Sequence, residues 1–285
     1  MQDNLPFCFF NVYKPKGITS FDVIYKLRKI LNIKKIGHSG TLDPMAEGVM
    51  QVAAGNATRL LEYLDSNKEY IAEIKFGCIS TTLDIEGEIT KYNDPVFSKD
   101  ELYNALNDFT GEIVQIPPVY SAIKVNGKKL YEIARKNPDT KIEIPERKVL
   151  IHNIKLISFE DNIAKIKVSC SKGTYIRTLA DDTAKKLGTR AYLISLIRTK
   201  AGKFNIEESI KIDNINLSCA IEPKDVLELD EYKLNENEYF CAKNGKMINC
   251  GISGNKTIML TYMDKLVSIG NLSDNKIKII KFFNR

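Results

Sequence analysis

Apolar positions alternate between two periods along this chain. After Thr19, the residues Phe21, Val23, Ile24, Leu27, Ile30 and Leu31 recur near helical spacing, and Asp22 stands three residues beyond a Thr that can cap. That pattern predicts a helix ending before residue 37. A second cap signal, Ser98 to Glu101, leads into Leu102, Ala105, Leu106 and Phe109 and predicts a helix stopping at Gly111. A third is expected from a Thr174 cap, through Tyr175, Leu179, Ala180 and Leu187, to a Gly188 stop. The remaining apolar runs are β-branched: KEYIAEIKFG from 68, RKVLIHNIKLISF from 147 and NIAKIKVSC from 162, the last two joined as a hairpin at Glu160-Asp161-Asn162. Strands and helices do not alternate regularly. The expected class is therefore α+β, with a mixed, largely antiparallel sheet rather than a doubly wound one. Past an acidic stretch, KTIMLTYMDKLVSIGNL and NKIKIIKFF predict a small β-rich domain, which divides the chain into 1–220 and 221–285.

Composition narrows the function classes. With 285 residues, 44% of them apolar, the chain can bury a substantial core. No basic and apolar leader pattern and no uncharged apolar window of about 18 residues is present, so a cytoplasmic protein without a membrane span is expected. Six scattered cysteines with no C-x-x-C, and two histidines, predict neither a disulfide framework nor a zinc site. The net charge is only +6, but from Lys165 to Lys203 ten basic residues face two acidic ones, whereas from Glu207 to Glu238 ten acidic residues face three lysines. A basic face suits a polyanion such as RNA; a solvated helix face is the alternative.

The densest turn chemistry lies in GHSGTLDPMAEGVM, residues 37 to 50, where Gly37, Gly40 and Gly48 bracket Asp43. Two readings stand side by side. Asp43 can cap a helix with Pro44 in its first position, or its carboxylate can be held at a loop tip for chemistry. In VSCSKGTYIRTLADDTAKKLG, residues 168 to 188, Arg177 falls in the first turn of the expected helix, where the macrodipole disfavours a cation. Such local conflicts mark candidate functional sites. Arg177 then either pairs with a carboxylate such as Asp43 or faces phosphate. The third stretch, IPPVYSAIKVNGKKLYEIAR at 116 to 135, predicts an extended Pro-Pro piece, a turn at Asn126-Gly127 and a basic helix; its interleaved aromatic and basic residues suit RNA backbone contact or, equally, a hairpin with a solvated end.

KPKGITSFDV at 14, GHSGTLDPMAEGV at 37, GNATR at 55, KEY at 68, the 116–135 stretch and CSKGTYIRTLADD at 170 resemble, in order, the motifs of the bacterial tRNA pseudouridine-55 synthase family. The resemblance covers about the first 200 residues. Met50-Gln51 stands where Leu-Pro is usual, Arg59 for Lys and Ala184 for a common Gly. It implies a pseudouridine synthase-like catalytic domain and, by position, a PUA-like RNA-binding tail. It also implies isomerisation of a uridine in the T loop of tRNA, at position 55, on a flipped-out nucleotide. Asp43 would be the catalytic aspartate, Arg177 its partner and Tyr70 the aromatic beneath the target base. His38 would pack on the substrate loop, Tyr175 and Leu196 would line the pocket, and Lys172 belongs to the expected RNA clamp. The reaction conserves atoms, so no cofactor or metal is expected, and a monomer without an obligate protein partner is implied. Two other readings share these residues: a guide-dependent synthase subunit of a multiprotein particle, and an RNA-binding or chaperone protein without catalysis.

Overall fold

The computed structural model describes residues 6–121, 124–125, 128–130 and 144–283. Among these residues, fourteen strands precede residue 212: β1 (Phe7–Lys14), β2 (Ile36–His38), β3 (Glu47–Gly55), β4 (Lys68–Phe76), β5 (Cys78–Ser80), β6 (Ile89–Lys91), β7 (Gly111–Gln115), β8 (Lys124–Val125), β9 (Lys128–Lys129), β10 (Arg147–Glu160), β11 (Ile163–Cys170), β12 (Ala191–Ala201), β13 (Phe204–Asn205) and β14 (Ile210–Lys211). Ten of them form one sheet whose main path runs β14-β1-β3-β12-β4-β11-β10-β7. Only β1–β14 and β3–β12 run parallel, so the sheet is mixed and largely antiparallel as the sequence predicts. β4 sits between β11 and β12, and its alternation puts Lys68, Tyr70, Ala72, Ile74 and Phe76 on the buried face.

Two helices follow from local chemistry and a third from a remote strand end. Helix α1 (Ser20–Leu31) and helix α2 (Lys99–Asn107) both open with a reciprocal capping box, Thr19 with Asp22 and Ser98 with Glu101. α2 stops short of Gly111, because the amides of Phe109 and Thr110 close turns on Leu106 and Asn107, and Gly111, at φ +104°, already starts β7. Helix α3 (Ile176–Lys186) is capped at Tyr175 rather than Thr174, whose hydroxyl donates back to the Ser171 carbonyl at 2.9 Å. Buried Gln115, at the end of β7, supplies the missing cap: its Oε1 accepts from the Tyr175 amide at 3.0 Å and its Nε2 donates to the Tyr175 carbonyl at 3.2 Å. The β10–β11 hairpin turns through Asp161 and Asn162, both at positive φ. The turn at Asn126-Gly127 and the basic helix after it lie outside the described residues, although β8 and β9 on either side pair antiparallel.

A second sheet, in the order β15-β17-β18-β19-β16, contains β15 (Asp230–Lys233), β16 (Ile248–Asn249), β17 (Lys256–Tyr262), β18 (Lys265–Ser273) and β19 (Lys276–Phe282). The connection to it does not leave the first sheet cleanly at residue 220. Ile221 bridges Phe9 of β1, and helix α4 (Pro223–Val226) contacts both β1 and β18. One apolar cluster joins Phe9, Leu60 and Phe204 on the first sheet's side with Val226, Leu266 and Phe283.

Candidate active site

No helix starts at Asp43. Residues 43–46 form a turn, the Ala46 amide donating to the Asp43 carbonyl at 3.1 Å, and the chain then enters β3 at Glu47. The capping reading therefore fails. The turn is fastened from two sides. The fully buried Lys14 ammonium donates to the carbonyls of Ala46 at 2.6 Å and Pro44 at 3.3 Å. Its surroundings hold its pKa down at about 8, chiefly through burial. The Ser20 hydroxyl, from the first residue of α1, brackets Leu42 by accepting from its amide at 2.8 Å and donating to its carbonyl at 2.9 Å. Gly48 meets the sheet at φ +107°, and a Cβ there would lie 2.3 Å from the Arg198 carbonyl, so only glycine lets β3 and β12 approach.

Arg177 explains its own anomaly. Its side chain is buried beneath the sheet's end, with Nη2 3.0 Å from Asp43 Oδ2 and Nη1 3.1 Å from Asp84 Oδ2. The fork also donates to the carbonyls of Thr82 at 2.9 Å and Tyr120 at 3.0 Å. Two carboxylates and two carbonyls fix a planar guanidinium far more tightly than one point contact would. Asp84 is buried and further held by the Thr82 hydroxyl and the Glu86 amide. Sequence reasoning missed it. It stands in the β5–β6 connection among Ser, Thr and Gly, where an aspartate reads as ordinary turn chemistry, and only the fold carries it to Arg177. A third of the Asp43 side chain remains accessible. Its recessed surroundings push its pKa above the usual carboxylate range, the Arg177 charge pulls it back down, and the Asp84 charge adds to the rise.

These groups open into a cavity of about 520 Å³ lined by Asp43, Tyr70, Lys172, Tyr175, Arg177 and Leu196. Six of the seven expected site residues thus converge from the 37–50 loop, β4, the β11–α3 turn, α3 and β12. His38 does not. It lies in β2 opposite Val52, half-buried behind the loop, and burial with the nearby Arg198 charge lowers its pKa. Its place beside Gly40 supports the loop rather than the cavity wall. The cavity is also lined by Lys68, Ser121, Arg147 and Arg198, which sequence reasoning left aside. Arg198 pairs in register with Tyr70 across β12 and β4, is 1% exposed and donates to the Val49 carbonyl at 2.7 Å and the Gly40 carbonyl at 3.3 Å. Burial raises the Tyr70 phenol pKa, so it stays protonated.

The basic run from 165 to 203 is not one continuous clamp. Lys165 and Lys167 pair with Glu73 and Glu69 across the β4–β11 ladder, Lys186 with Asp108, and Lys185 and Arg190 with Asp181. Arg177 and Arg198 are buried in the site. Counting charge along a segment misses partners on neighbouring strands. Lys172 is exposed and lines the cavity.

A family model described as TruB family pseudouridylate synthase, N-terminal domain, matches residues 28–176. The tRNA pseudouridine synthase B of Clostridium tetani is 41% identical over 283 residues, which cover 95% of this chain and 97% of that protein. The protein of the same name from Fusobacterium nucleatum is 41% identical over 276 residues, covering 93% and 96%. Among solved structures, one of an H/ACA RNP bound to a substrate RNA containing 2'-deoxyuridine superposes with a TM-score of 0.74 at 23% identity, over 98% of this chain and 86% of that one. A Cbf5-Nop10-Gar1 complex superposes with the same TM-score at 25% identity, over 98% and 85%.

Proposed function

The chain belongs to the TruB family of pseudouridylate synthases, and from that membership we propose that it isomerises a uridine in the T arm of tRNA, at position 55, with Asp43 as the catalytic carboxylate. It is an isomerase of the pseudouridine synthase kind. The observation that carries the residue assignment is the Asp43–Arg177–Asp84 array opening into a cavity floored by Tyr70. The isomerisation breaks the N1–C1′ bond, turns the uracil and rejoins it through C5. It needs a carboxylate that acts as nucleophile or base, and Asp43 is that group. Arg177 favours the ionised form of Asp43 against the opposing effect of burial and fixes its orientation, while Asp84 holds Arg177 from behind. Tyr70, buried and neutral, offers a ring on which a base can lie, and Tyr175 and Leu196 exclude water around it. A base stacked in RNA reaches this depth only by extrusion, which costs a few kcal/mol and is offset by stacking and backbone contacts.

The second sheet is read as a PUA-like RNA-binding unit, and Lys172 and Arg147 at the cavity mouth as contacts to the RNA backbone. Among the described residues no helix is long and apolar enough to cross a membrane. The substrate class favours a cytoplasmic protein acting without cofactor and without an obligate partner. A guide-dependent subunit is favoured by the superposition on ribonucleoprotein complexes, but the 41% identity over nearly the whole length of tRNA-modifying relatives weighs more. The deciding test is incubation of the pure chain with an unmodified tRNA transcript, followed by chemical mapping. Pseudouridine at position 55 is expected. Activity that appears only with added RNP components supports the guide-dependent reading, and RNA binding without pseudouridine overturns the enzymatic assignment.

A further inference from the structure

The cavity has two ends of opposite character. At one end, two carboxylates share the Arg177 guanidinium. At the other stands Lys68, first residue of β4, two positions before Tyr70 and on the same buried face of the strand. Lys68 is 8% exposed and lines the cavity, yet among the described residues no carboxylate lies within ion-pair distance of it. Its hydrogen bond goes to a neutral acceptor, Gln51 Oε1, at a long 3.3 Å. Gln51 is itself buried and fixed, accepting from the Ser39 hydroxyl and donating to the Ala201 carbonyl at 2.9 Å. The strongest charge acting on it is a second cation, Arg198, whose guanidinium is used on backbone carbonyls and Tyr70, while the opposite charge of Asp65 acts only from beyond ion-pair distance. Burying an ammonium beside a guanidinium is unfavourable, and an apolar residue at 68 would pack at less cost. A conflict of this kind inside a cavity points to a ligand that supplies the missing negative charge.

Resting on the isomerase reading above, we propose that Lys68, backed by Arg198, is a further catalytic residue whose ammonium contacts an oxygen of the uracil lying on Tyr70 and stabilises the negative charge the base acquires as the N1–C1′ bond breaks. The electron pair of that bond leaves with the base, giving a uracil monoanion with charge delocalised over N1 and the two carbonyl oxygens. The sugar's positive charge is met by Asp43, either by bonding to C1′ or by accepting a ribose proton. The turned anion then attacks C1′ through C5, displacing the Asp43 carboxylate where it had bonded to C1′ or, on the other branch, with Asp43 returning the proton to the ribose; the C5 proton is lost to a base and N1 is protonated, so atoms, charge and electrons return to those of uridine. A preorganised cation in a site closed to water acts on such developing charge at full strength. Gln51 holds the ammonium without neutralising it. Burial and the Arg198 charge bring the Lys68 pKa down to about 8, which leaves it protonated at neutral pH.

The test uses full-length protein and saturating tRNA transcript in single-turnover rate measurements, with binding measured at two salt concentrations. K68M is expected to slow the chemical step by about 100-fold with tRNA affinity nearly unchanged, and K68R to recover part of it. With 5-fluorouridine at the target position, fluorine stabilises the departing anion, so the K68M deficit in loss of the parent nucleoside should shrink by about fivefold or more. Wild-type rate should fall as pH rises through about 8, where Lys68 loses its proton, and K68R should show a shallower limb, keeping only what Lys14, also held at about 8 beneath the Asp43 turn, contributes. The groups facing Lys68 are Gln51 of β3, Arg198 of β12, Cys170 of β11 and Asp65 before β4; none is altered in K68R. An unchanged chemical rate in K68M, with weaker and less salt-dependent binding, makes Lys68 a phosphate contact and overturns the proposal. Should K68M not fold, a K68R profile that keeps the wild-type alkaline limb overturns it equally. Wild-type protein that makes no pseudouridine at all would instead remove the isomerase reading, before any variant is compared.

Discussion

At the scale of single residues, the site is a chain of charges whose order sets its pH response. Asp43→Asn is nearly isosteric and leaves the turn intact, so product formation should disappear while tRNA binding stays within about tenfold. Pseudouridine mapping and filter binding on the same protein check both halves. Arg177 lowers the Asp43 pKa and Asp84 raises it. The two variants therefore move the acid limb of activity in opposite directions. Without the guanidinium charge, Arg177→Ala should lose most activity at neutral pH and shift that limb to higher pH, with Arg177→Lys recovering only part because it lacks the planar fork. Asp84→Asn removes a like charge while keeping an acceptor near Arg177, so its limb should move to lower pH. Single-turnover pH profiles of the variants decide the matter; limbs that move together would mean that Arg177 does not control Asp43 through charge.

At the scale of elements, α3 owes its start to a strand end remote in sequence. Tyr175 has no side-chain cap of its own, and Gln115 occupies both its amide and its carbonyl. Gln115→Ala leaves the Tyr175 amide without its partner, the carbonyl keeping the Leu179 amide, at a cost of about 1–3 kcal/mol, which should lower the Tm by several degrees. Because Arg177 lies in the first turn of α3, the same variant should also reduce the single-turnover rate. Calorimetry and kinetics on one preparation separate the two effects. If both Tm and rate were unchanged, Gln115 would be a bystander.

At the scale of the whole molecule, the tail after residue 220 cannot be treated as an appended binding unit. Val226, Leu227, Met259, Leu266, Ile269 and Phe283 pack in one cluster with Phe9, Leu60, Ala201 and Phe204. Each such side chain loses about 1.5–3 kcal/mol of burial when its partners go, against a typical domain stability of about 5–15 kcal/mol. Truncation at 220 should therefore lower the Tm sharply or cause aggregation, rather than weaken tRNA binding alone as sequence position suggests. A truncated protein with wild-type Tm and intact single-turnover chemistry would show that the two sheets are independent.

The sequence by itself determined the strands and helices whose signals are local: the capping boxes of α1 and α2, the alternation of β4, the Asp161-Asn162 hairpin and the strand-rich tail. It also pointed to Arg177, because a cation in a helix's first turn conflicts with the local dipole, and ordered motifs pointed to Asp43, Tyr70, Tyr175 and Leu196. What it left open were relations between distant segments. Whether Asp43 caps a helix or ends a loop was decided by Lys14 and Ser20 fastening its turn. That Lys68 and Arg198 line the same cavity depends on β4 pairing with β12, and Asp84 reaches Arg177 only because its loop bridges to Leu193 of β12. The basic run lost much of its free charge to Glu69 and Glu73 on β4, Asp108 after α2 and Asp181 on α3. Periodicity and caps act over a few residues and are written in the chain, whereas ion pairs, buried charge and shared cores depend on which strands the sheet brings together.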